Sequence, residues 1–142
     1  MPSVDHTIEV RAPISIAWER ITTLANLPRW LDGVAAVQAI STRETQPGTT
    51  FEIVRAGRRD VEHWIVLDWQ PQRSLRLTEY HQDLHLRLHL ESLDEGTRIS
   101  ARWEWKAARG LLQRLSPPTA QRRSLERSLE RLAALIDGEG SG

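Results

Sequence analysis

The sequence predicts an α+β domain, in which a long C-terminal helix lies on an antiparallel meander of strands and two short helices follow the first strand. Two observations lead to this prediction. Apolar residues recur at every second position in a series of segments, and turns rich in Gly, Pro and Asp separate these segments, as in an antiparallel sheet. Towards the C-terminal end, Leu125, Leu129, Leu132 and Ile136 share one face of a helix, and this apolar stripe needs a surface to lie on.

The first strand is predicted at Val4–Val10, where apolar and polar residues alternate. Ser15 is positioned to cap a short helix over residues 16–21. A second short helical turn opens at Asn26-Leu27-Pro28 and closes at Gly33. Because these two helices are short and follow each other directly, they predict a joint within one domain and not a boundary between two.

Further strands follow, each a run of alternating or β-branched residues between turn residues. Their predicted ranges are Val34–Thr42, Thr50–Arg55, Val61–Trp69, Leu75–Tyr80, Leu84–Leu90 and Thr97–Trp105. Both faces of the segment from Val61 to Trp69 are partly apolar. The pattern therefore leaves open whether His63 or Asp68 points inward.

The long helix begins either near Gly110, with Leu111–Leu115 helical, or after the break at Ser116-Pro117-Pro118. Ser116 suits the N-cap and Pro117 the first helical position. Gly138 is placed to stop the helix. We therefore predict a single domain over residues 1–142, with an ordered part at about 3–137 and a flexible tail at 138–142.

The composition excludes several classes of protein. The 19 basic and 19 acidic residues balance, which argues against a general binder of nucleic acid or of anionic membranes. The chain has no cysteine, so disulfides, thiol catalysis and cysteine-ligated zinc are excluded. No apolar run approaches the ~20 residues that cross a bilayer, and MPSVDHTIEV lacks the features of a secretory signal. We therefore expect a cytoplasmic protein with no transmembrane segment.

Motifs for cofactor or covalent chemistry are absent from the sequence. It has no Gly-rich phosphate loop, dinucleotide fingerprint, HExxH or serine-nucleophile motif, so neither a cofactor nor a metal is expected. His85 and His89 alternate with leucines in DLHLRLHLE, but two residues at this spacing on a strand are ~13 Å apart and do not share an ion. We interpret these histidines as part of a solvated outer face opposite a leucine face.

Four stretches carry a resemblance to a known family: IEVRAPISIAWERIT, NLPRWLDGV, VLDWQPQRSLRL and SLERLAALI. With the order of the elements, they make the chain resemble the START-like superfamily over residues 3–137, in particular the SRPBCC group of polyketide cyclase/dehydrase and lipid-transport-like proteins. The resemblance implies a helix-grip fold, a curved antiparallel sheet of about seven strands wrapped around the long C-terminal helix. It also implies an apolar cavity between sheet and helix, with the short helices and nearby loops at its mouth.

The predicted ligand contacts are large apolar residues on the inward faces of the strands, the short helices and the long helix. They are Trp30, Phe51, Ile53, Leu75, Leu77, Leu86, Leu88, Trp103, Trp105, Leu125, Leu129 and Leu132. The pattern leaves open whether these side chains line a cavity or fill a solid core, although the six tryptophans favour a cavity. Trp30 either packs the short helices on the sheet or lies over a ligand. Arg55, Arg58 and Arg59 are either exposed hairpin charges or a border of the entrance that attracts a carboxylate or phosphate.

Three functions are compatible with this arrangement, and none of them fixes an oligomeric state. The first is binding of a small, largely hydrophobic molecule, such as a lipid, a polyketide or an aromatic metabolite, between the sheet and the long helix. The second is a cyclase/dehydratase-like enzyme, for which His6 is the candidate acid or base because it shares the inward face of the first strand. The third is a protein-interaction module with a filled core.

Overall fold

A computed structural model describes residues 2–106 and 118–140 of the chain. Its strands are β1 (Ser3–Val10), β2 (Val34–Gln38), β3 (Thr50–Arg55), β4 (Val61–Gln70), β5 (Ser74–Glu79), β6 (Leu84–Leu93) and β7 (Gly96–Glu104). Its helices are α1 (Ile14–Thr22), α2 (Leu27–Trp30) and α3 (Pro118–Gly140), with a 3-10 turn at Leu24–Asn26 between α1 and α2. The predicted α+β fold is confirmed, because a curved antiparallel sheet of seven strands carries the long C-terminal helix and the short helices follow the first strand.

The strands lie in the order β1-β7-β6-β5-β4-β3-β2, and every pair is antiparallel. Each strand from β3 onward pairs with the one before it, as short turns dictate. β1 pairs instead with β7, so α1 and α2 carry the chain from one edge of the sheet to the other. The two edges of the sheet are therefore β1 and β2.

The core lies between the inner face of the sheet and α3. Along β6, Leu86, Leu88 and Leu90 are buried, whereas Arg87 and His89 are exposed, as the period of two requires. The predicted stripe of α3 is also buried, and this helix packs against β1 more than against any other strand. The helix therefore covers the apolar face that the alternating pattern creates.

The inward face of β4 is the one that carries Glu62, Trp64 and Val66, all of which are buried. His63 is on the other face. Asp68 does not point inward either, since it is exposed and lies in a bulge between Leu67 and Gln70 where its φ is +51°. Of the two faces that the sequence left open, the one with Trp64 and Val66 points inward, but the acidic residue that enters the core from it is Glu62 and not Asp68.

Several element ends differ from the predicted ones, and β6 runs to Leu93 and not to Leu90. β2 stops at Gln38 and not at Thr42, since Ala39 has a left-handed φ of +52°, which lies outside the extended region of regular strands. β2 also carries an irregularity between Val34 and Ala36. The residue at the N-cap of α1 is Pro13, so Ser15 lies inside the helix and caps nothing.

α3 continues through Gly138 to Gly140, because Gly138 does not take the left-handed conformation that would end a helix there. The predicted helix at 111–115 and the predicted cap at Ser116 lie outside the described residues. None of the helices within residues 2–106 and 118–140 combines the length and the apolarity that crossing a bilayer requires.

One end of the molecule, which we call the closed end, is where β1 leaves the sheet and α3 finishes. Backbone N–H groups of Arg11 and Ala12 donate to the carboxylate of Asp137 at 3.0 and 3.2 Å. The hydroxyl of Thr97 donates to the carbonyl of Ala12 at 2.9 Å. Gly96 approaches Val10 so closely that a Cβ atom on it would lie 2.0 Å from the Val10 carbonyl oxygen. These contacts join the last turn of α3 to β1 and to the β6–β7 turn.

Candidate ligand cavity

A cavity of about 530 Å³ lies at the other end, between the sheet and the first turns of α3. The α2–β2 turn, the β3–β4 hairpin and the end of β7 complete its wall. Among the described residues, its apolar lining consists of Pro2, Leu31, Ala56, Leu84, Trp103, Trp105, Pro118 and Leu125. A volume of this size falls in the range of ~300–1,000 Å³ that small-molecule sites occupy.

Three of the predicted contact residues, Trp103, Trp105 and Leu125, line this cavity. The other nine are buried in the core and do not belong to its lining: Trp30, Phe51, Ile53, Leu75, Leu77, Leu86, Leu88, Leu129 and Leu132. Leu31 and Leu84, which do line it, were not among the predicted contacts. Contact between any of these residues and a ligand stays a prediction.

Trp30 is fully buried, and its indole N–H has no hydrogen-bond partner among the residues that the structure describes. Its environment corresponds to packing of the short helices against the core, which was one of its two predicted roles. His6 is half-buried on β1 opposite Ala101 of β7, and it lies outside the cavity lining. Its role as an acid or base therefore stays a prediction with no cavity contact behind it.

Glu62 and Asp32 are the acidic residues of the described cavity lining, and the side chain of Glu62 is only 6% exposed. Arg55 Nε donates to Glu62 Oε1 at 3.0 Å, and Trp64 Nε1 donates to the same oxygen at 3.1 Å. No group in the described part of the chain donates to Oε2. In the alternating pattern of the sequence, Glu62 lies on the same strand face as Trp64 and Val66. This shared face is the signal that could have identified Glu62 as an inward-pointing residue.

Arg55 connects two walls of the cavity. Besides its bond to Glu62 on β4, it donates from Nη1 to the carbonyl oxygen of Asp32 at 3.1 Å. The β3–β4 hairpin is thereby joined to the α2–β2 turn. Of the predicted hairpin cluster, Arg55 and Arg58 line the cavity and Arg59 does not.

Asp32 links the α2–β2 turn to α3 through hydrogen bonds. Its carboxylate accepts hydrogen bonds from Ser124 Oγ at 2.8 Å, Arg127 Nη2 at 2.8 Å and Arg131 Nη1 at 3.2 Å. Its backbone N–H donates to Ser128 Oγ at 2.9 Å. The hydrogen bond from Arg127 is the largest cause that lowers the pKa of Asp32 below its ordinary value, with Ser124 and the charges of Arg127 and Arg131 adding to it against the opposing effect of burial.

The rim of the cavity carries two exposed cations, Arg58 and Lys106. Asp32 is already neutralised by Arg127 and Arg131, and Glu62 by Arg55. The described lining is therefore apolar on one side, with an open acceptor oxygen on Glu62 and a positive rim.

Aromatic rings continue from the cavity wall into the core. The ring of Trp103, which lines the cavity, lies 6.2 Å from that of Trp64, and Trp64 stacks on Phe51 at 6.4 Å. Trp64 is the residue whose N–H binds Glu62. The open acceptor and the aromatic wall are thus neighbours.

The outer face of the sheet differs from its prediction at His85. This residue is 8% exposed, although a solvated position was expected. Its Nε2 lies 2.7 Å from Asp83 Oδ1 and its Nδ1 lies 3.0 Å from Thr78 Oγ1, so these two neighbours bury and satisfy the ring. His89 is exposed as predicted. Within residues 2–106 and 118–140, no group of three His, Asp or Glu side chains is arranged to hold a metal.

The family described as polyketide cyclase/dehydrase and lipid transport matches residues 1–137. A solved structure from Thermus thermophilus is 17% identical, with a TM-score of 0.75 over 95% of this chain and 97% of that chain. A protein from Chromobacterium violaceum is 18% identical, with a TM-score of 0.73 over 96% of this chain and 99% of that one. A protein of the dynemicin biosynthetic locus is 18% identical, with a TM-score of 0.68 over 96% of this chain and 48% of that one. At these identities the structural likeness shows the fold alone, and no curated protein matches the sequence at a significant level.

Proposed function

The chain belongs to the polyketide cyclase/dehydrase and lipid-transport family, and from this premise we propose that it binds a small, largely hydrophobic molecule between the sheet and α3. The observation that carries the proposal is the cavity of about 530 Å³ with tryptophan and leucine in its lining. A lipid, a polyketide or an aromatic metabolite has the required character.

The energetics of such binding are favourable without any charged contact. Removing roughly 300 Å² of apolar surface from water contributes about 7 kcal/mol at ~25 cal/mol per Å². Part of this gain offsets the lost freedom of the ligand. A dissociation constant of 1 μM requires about 8 kcal/mol, so the apolar contribution alone supports weak binding, and polar contacts at Glu62 would add the rest.

The proposal is tested with N-phenyl-1-naphthylamine, a neutral apolar dye whose fluorescence rises in an apolar site. We expect saturable binding to the wild-type protein. Leu125→Trp, which extends a cavity-lining side chain, should weaken binding at least about tenfold, since the larger ring takes up ligand space. Leu93→Trp is the matched control, because Leu93 lies in the β6–β7 hairpin and outside the cavity lining.

Two outcomes would contradict the proposal. One is that the wild-type protein binds no dye and yields no small molecule when it is analysed by native mass spectrometry and solvent extraction. The other is that Leu125→Trp and Leu93→Trp bind the dye equally well, because the dye would then occupy a different site.

A second candidate function is a cyclase/dehydratase-like enzyme, and the buried carboxylate of Glu62 favours it. Such an enzyme needs a proton acceptor or donor within hydrogen-bond reach of the substrate. Glu62 lines the cavity, whereas His6 does not. For an enzyme, Glu62→Gln should abolish turnover of a substrate recovered by extraction while the dye affinity stays within a few-fold.

An interaction module with a filled core receives less support. It predicts a solid interior and a contiguous exposed apolar patch. In the part of the chain that the structure describes, the large apolar side chains that are exposed are Ile40 and Tyr80. Two such residues do not amount to a docking surface.

A further inference from the structure

We propose that the cavity selects a hydroxylated aromatic molecule, whose hydroxyl group donates a hydrogen bond to Oε2 of Glu62. This inference rests on the proposed ligand-binding function and specifies the chemical class of the ligand. It assigns to Glu62 the role of the polar anchor beside the tryptophan and leucine side chains of the cavity lining.

The first step of the argument is the hydrogen-bonding state of Glu62. A carboxylate has about four acceptor positions, and both of its donors, Arg55 Nε and Trp64 Nε1, bind Oε1. The side chain of Glu62 is 6% exposed and lines the cavity, and Oε2 is not among the buried atoms that lack a partner in the described residues, so this oxygen is open to the cavity. An acceptor that loses its water and gains no other partner is costly. A ligand that brings a donor into the cavity avoids that cost, whereas a purely apolar ligand incurs it by displacing the water.

The second step concerns the charge of the donor. Glu62 is already paired with Arg55 at 3.0 Å, and Arg58 and Lys106 add two positive charges around the cavity. An ammonium group would face these cations with little net negative charge left to attract it. A carboxylate at the same position would face Glu62 itself, and two like charges at hydrogen-bond distance repel each other. A neutral hydroxyl group satisfies Oε2 without either repulsion.

The third step is the aromatic wall beside the acceptor. The indole N–H of Trp64 donates to Oε1 of Glu62, and the ring of Trp64 lies 6.2 Å from the ring of Trp103 in the cavity lining. Aromatic pairs prefer centroid separations of ~4.5–7 Å in offset or tilted arrangements. Trp103 and Glu62 both line the cavity and both neighbour Trp64, so a planar ring against Trp103 would share the cavity with the acceptor. This geometry favours an aromatic alcohol over a flexible aliphatic one.

The test compares three probes of one size: 2-naphthol, naphthalene and 2-naphthoate. Each is titrated by displacement of N-phenyl-1-naphthylamine from the folded protein. The wild-type protein should bind 2-naphthol at least about tenfold more tightly than naphthalene, as expected for a hydrogen bond to a charged acceptor. In Glu62→Leu, the two probes should bind equally, because the acceptor is gone.

Two further variants keep the test decisive. Glu62→Gln retains an acceptor for Arg55 in case Glu62→Leu does not fold, and it should lower the preference for 2-naphthol at least about threefold, because a neutral acceptor forms the weaker hydrogen bond. Glu52→Gln is the matched control. Glu52 is a half-buried carboxylate on the face of β3 opposite to the buried Phe51 and Ile53, and it accepts a hydrogen bond from Gln38 at 2.9 Å. It should keep the wild-type preference.

The outcomes separate this inference from the function on which it rests. Equal binding of 2-naphthol and naphthalene to the wild-type protein, or a preference that neither Glu62 variant changes, would overturn the inference and leave ligand binding standing. Tightest binding of 2-naphthoate would also overturn it, and would move the anchor to Arg58 and Lys106. If neither the probes nor the dye bind, the proposed function itself fails.

Discussion

Gly96 occupies a position that no other residue can fill without displacing backbone. Its φ is +106°, and a Cβ atom would lie 2.0 Å from the carbonyl oxygen of Val10. Gly48 has a similar φ of +87° but has nothing within 4 Å of a Cβ atom. Comparing the same substitution at these two glycines therefore separates the free-energy cost of an unfavourable φ from the cost of a steric collision.

We expect Gly96→Ala to lower the free energy of unfolding by about 3 kcal/mol or more, since it combines backbone strain with a clash against β1. Gly48→Ala should cost about 1 kcal/mol, the strain alone. Urea unfolding of both variants measures the difference. Equal losses would mean that Val10 moves away freely, which the pairing of β1 with β7 argues against.

Asp32 makes the free energy of unfolding depend on pH in the acidic range. Its pKa is lowered in the folded state, mainly by the hydrogen bond from Arg127. Its contribution to stability is therefore present above the ordinary pKa of an aspartate, about 4, and is lost as the pH falls through the lower, folded-state pKa. Because Asp32 joins α3 to the α2–β2 turn, its protonation loosens the cavity end of the molecule.

Asp32→Asn should lower the free energy of unfolding at pH 7 by about 1 kcal/mol, a modest loss because both arginines are half exposed. The difference from the wild-type protein should shrink as the pH falls below about 4. Asp5→Asn is the control, since the Asp5–Arg102 pair is exposed and should contribute little at either pH. A difference that is the same at pH 7 and at pH 3 would contradict this account.

At the scale of elements, the buried stripe of α3 serves two purposes along its length. Leu129 is fully buried in the core, whereas Leu125, one turn earlier, lines the cavity. We expect Leu129→Ala to cost about 3 kcal/mol, because it creates a void in a packed region. Leu125→Ala should cost about half as much, since it enlarges a space that already exists.

Thermal or urea unfolding of these two α3 variants provides the comparison. Equal losses would indicate that Leu125 is packed as tightly as Leu129, and would remove the cavity from that side of the helix. A small loss for both would indicate that α3 contributes little to the core, contrary to the burial of its whole apolar stripe.

The alternation of apolar and polar residues predicted every strand, and for β1, β3, β4, β5 and β7 each end agrees within one residue. It did not predict where β2 ends or where β4 bulges. The reason is physical, since Ala39 and Asp68 adopt left-handed φ values, and neither is a glycine that would mark such a position in the sequence. Tertiary context selects these conformations.

At the scale of the whole molecule, the order of elements predicted a sheet gripping a long helix, but not which residues face the cavity. A leucine that lines a cavity and a leucine that fills a core are the same residue in the same pattern, and this is why Leu88 and Leu129 were predicted as contacts while Leu31 and Leu84 were not. Glu62 was missed because its strand is apolar on both faces. Only the register of β4 in the sheet decides which face turns inward.

The short, irregular β2 has a consequence for the behaviour of the protein at high concentration. Within residues 2–106 and 118–140, β2 is an edge of the sheet and has only five residues. A distortion interrupts it between Val34 and Ala36, and the left-handed Ala39 follows its end. Short, irregular edge strands are poor templates for the edge-to-edge pairing of sheets that leads to aggregation. Titrations that need concentrated protein should therefore proceed without fibrous aggregates seeded from this side.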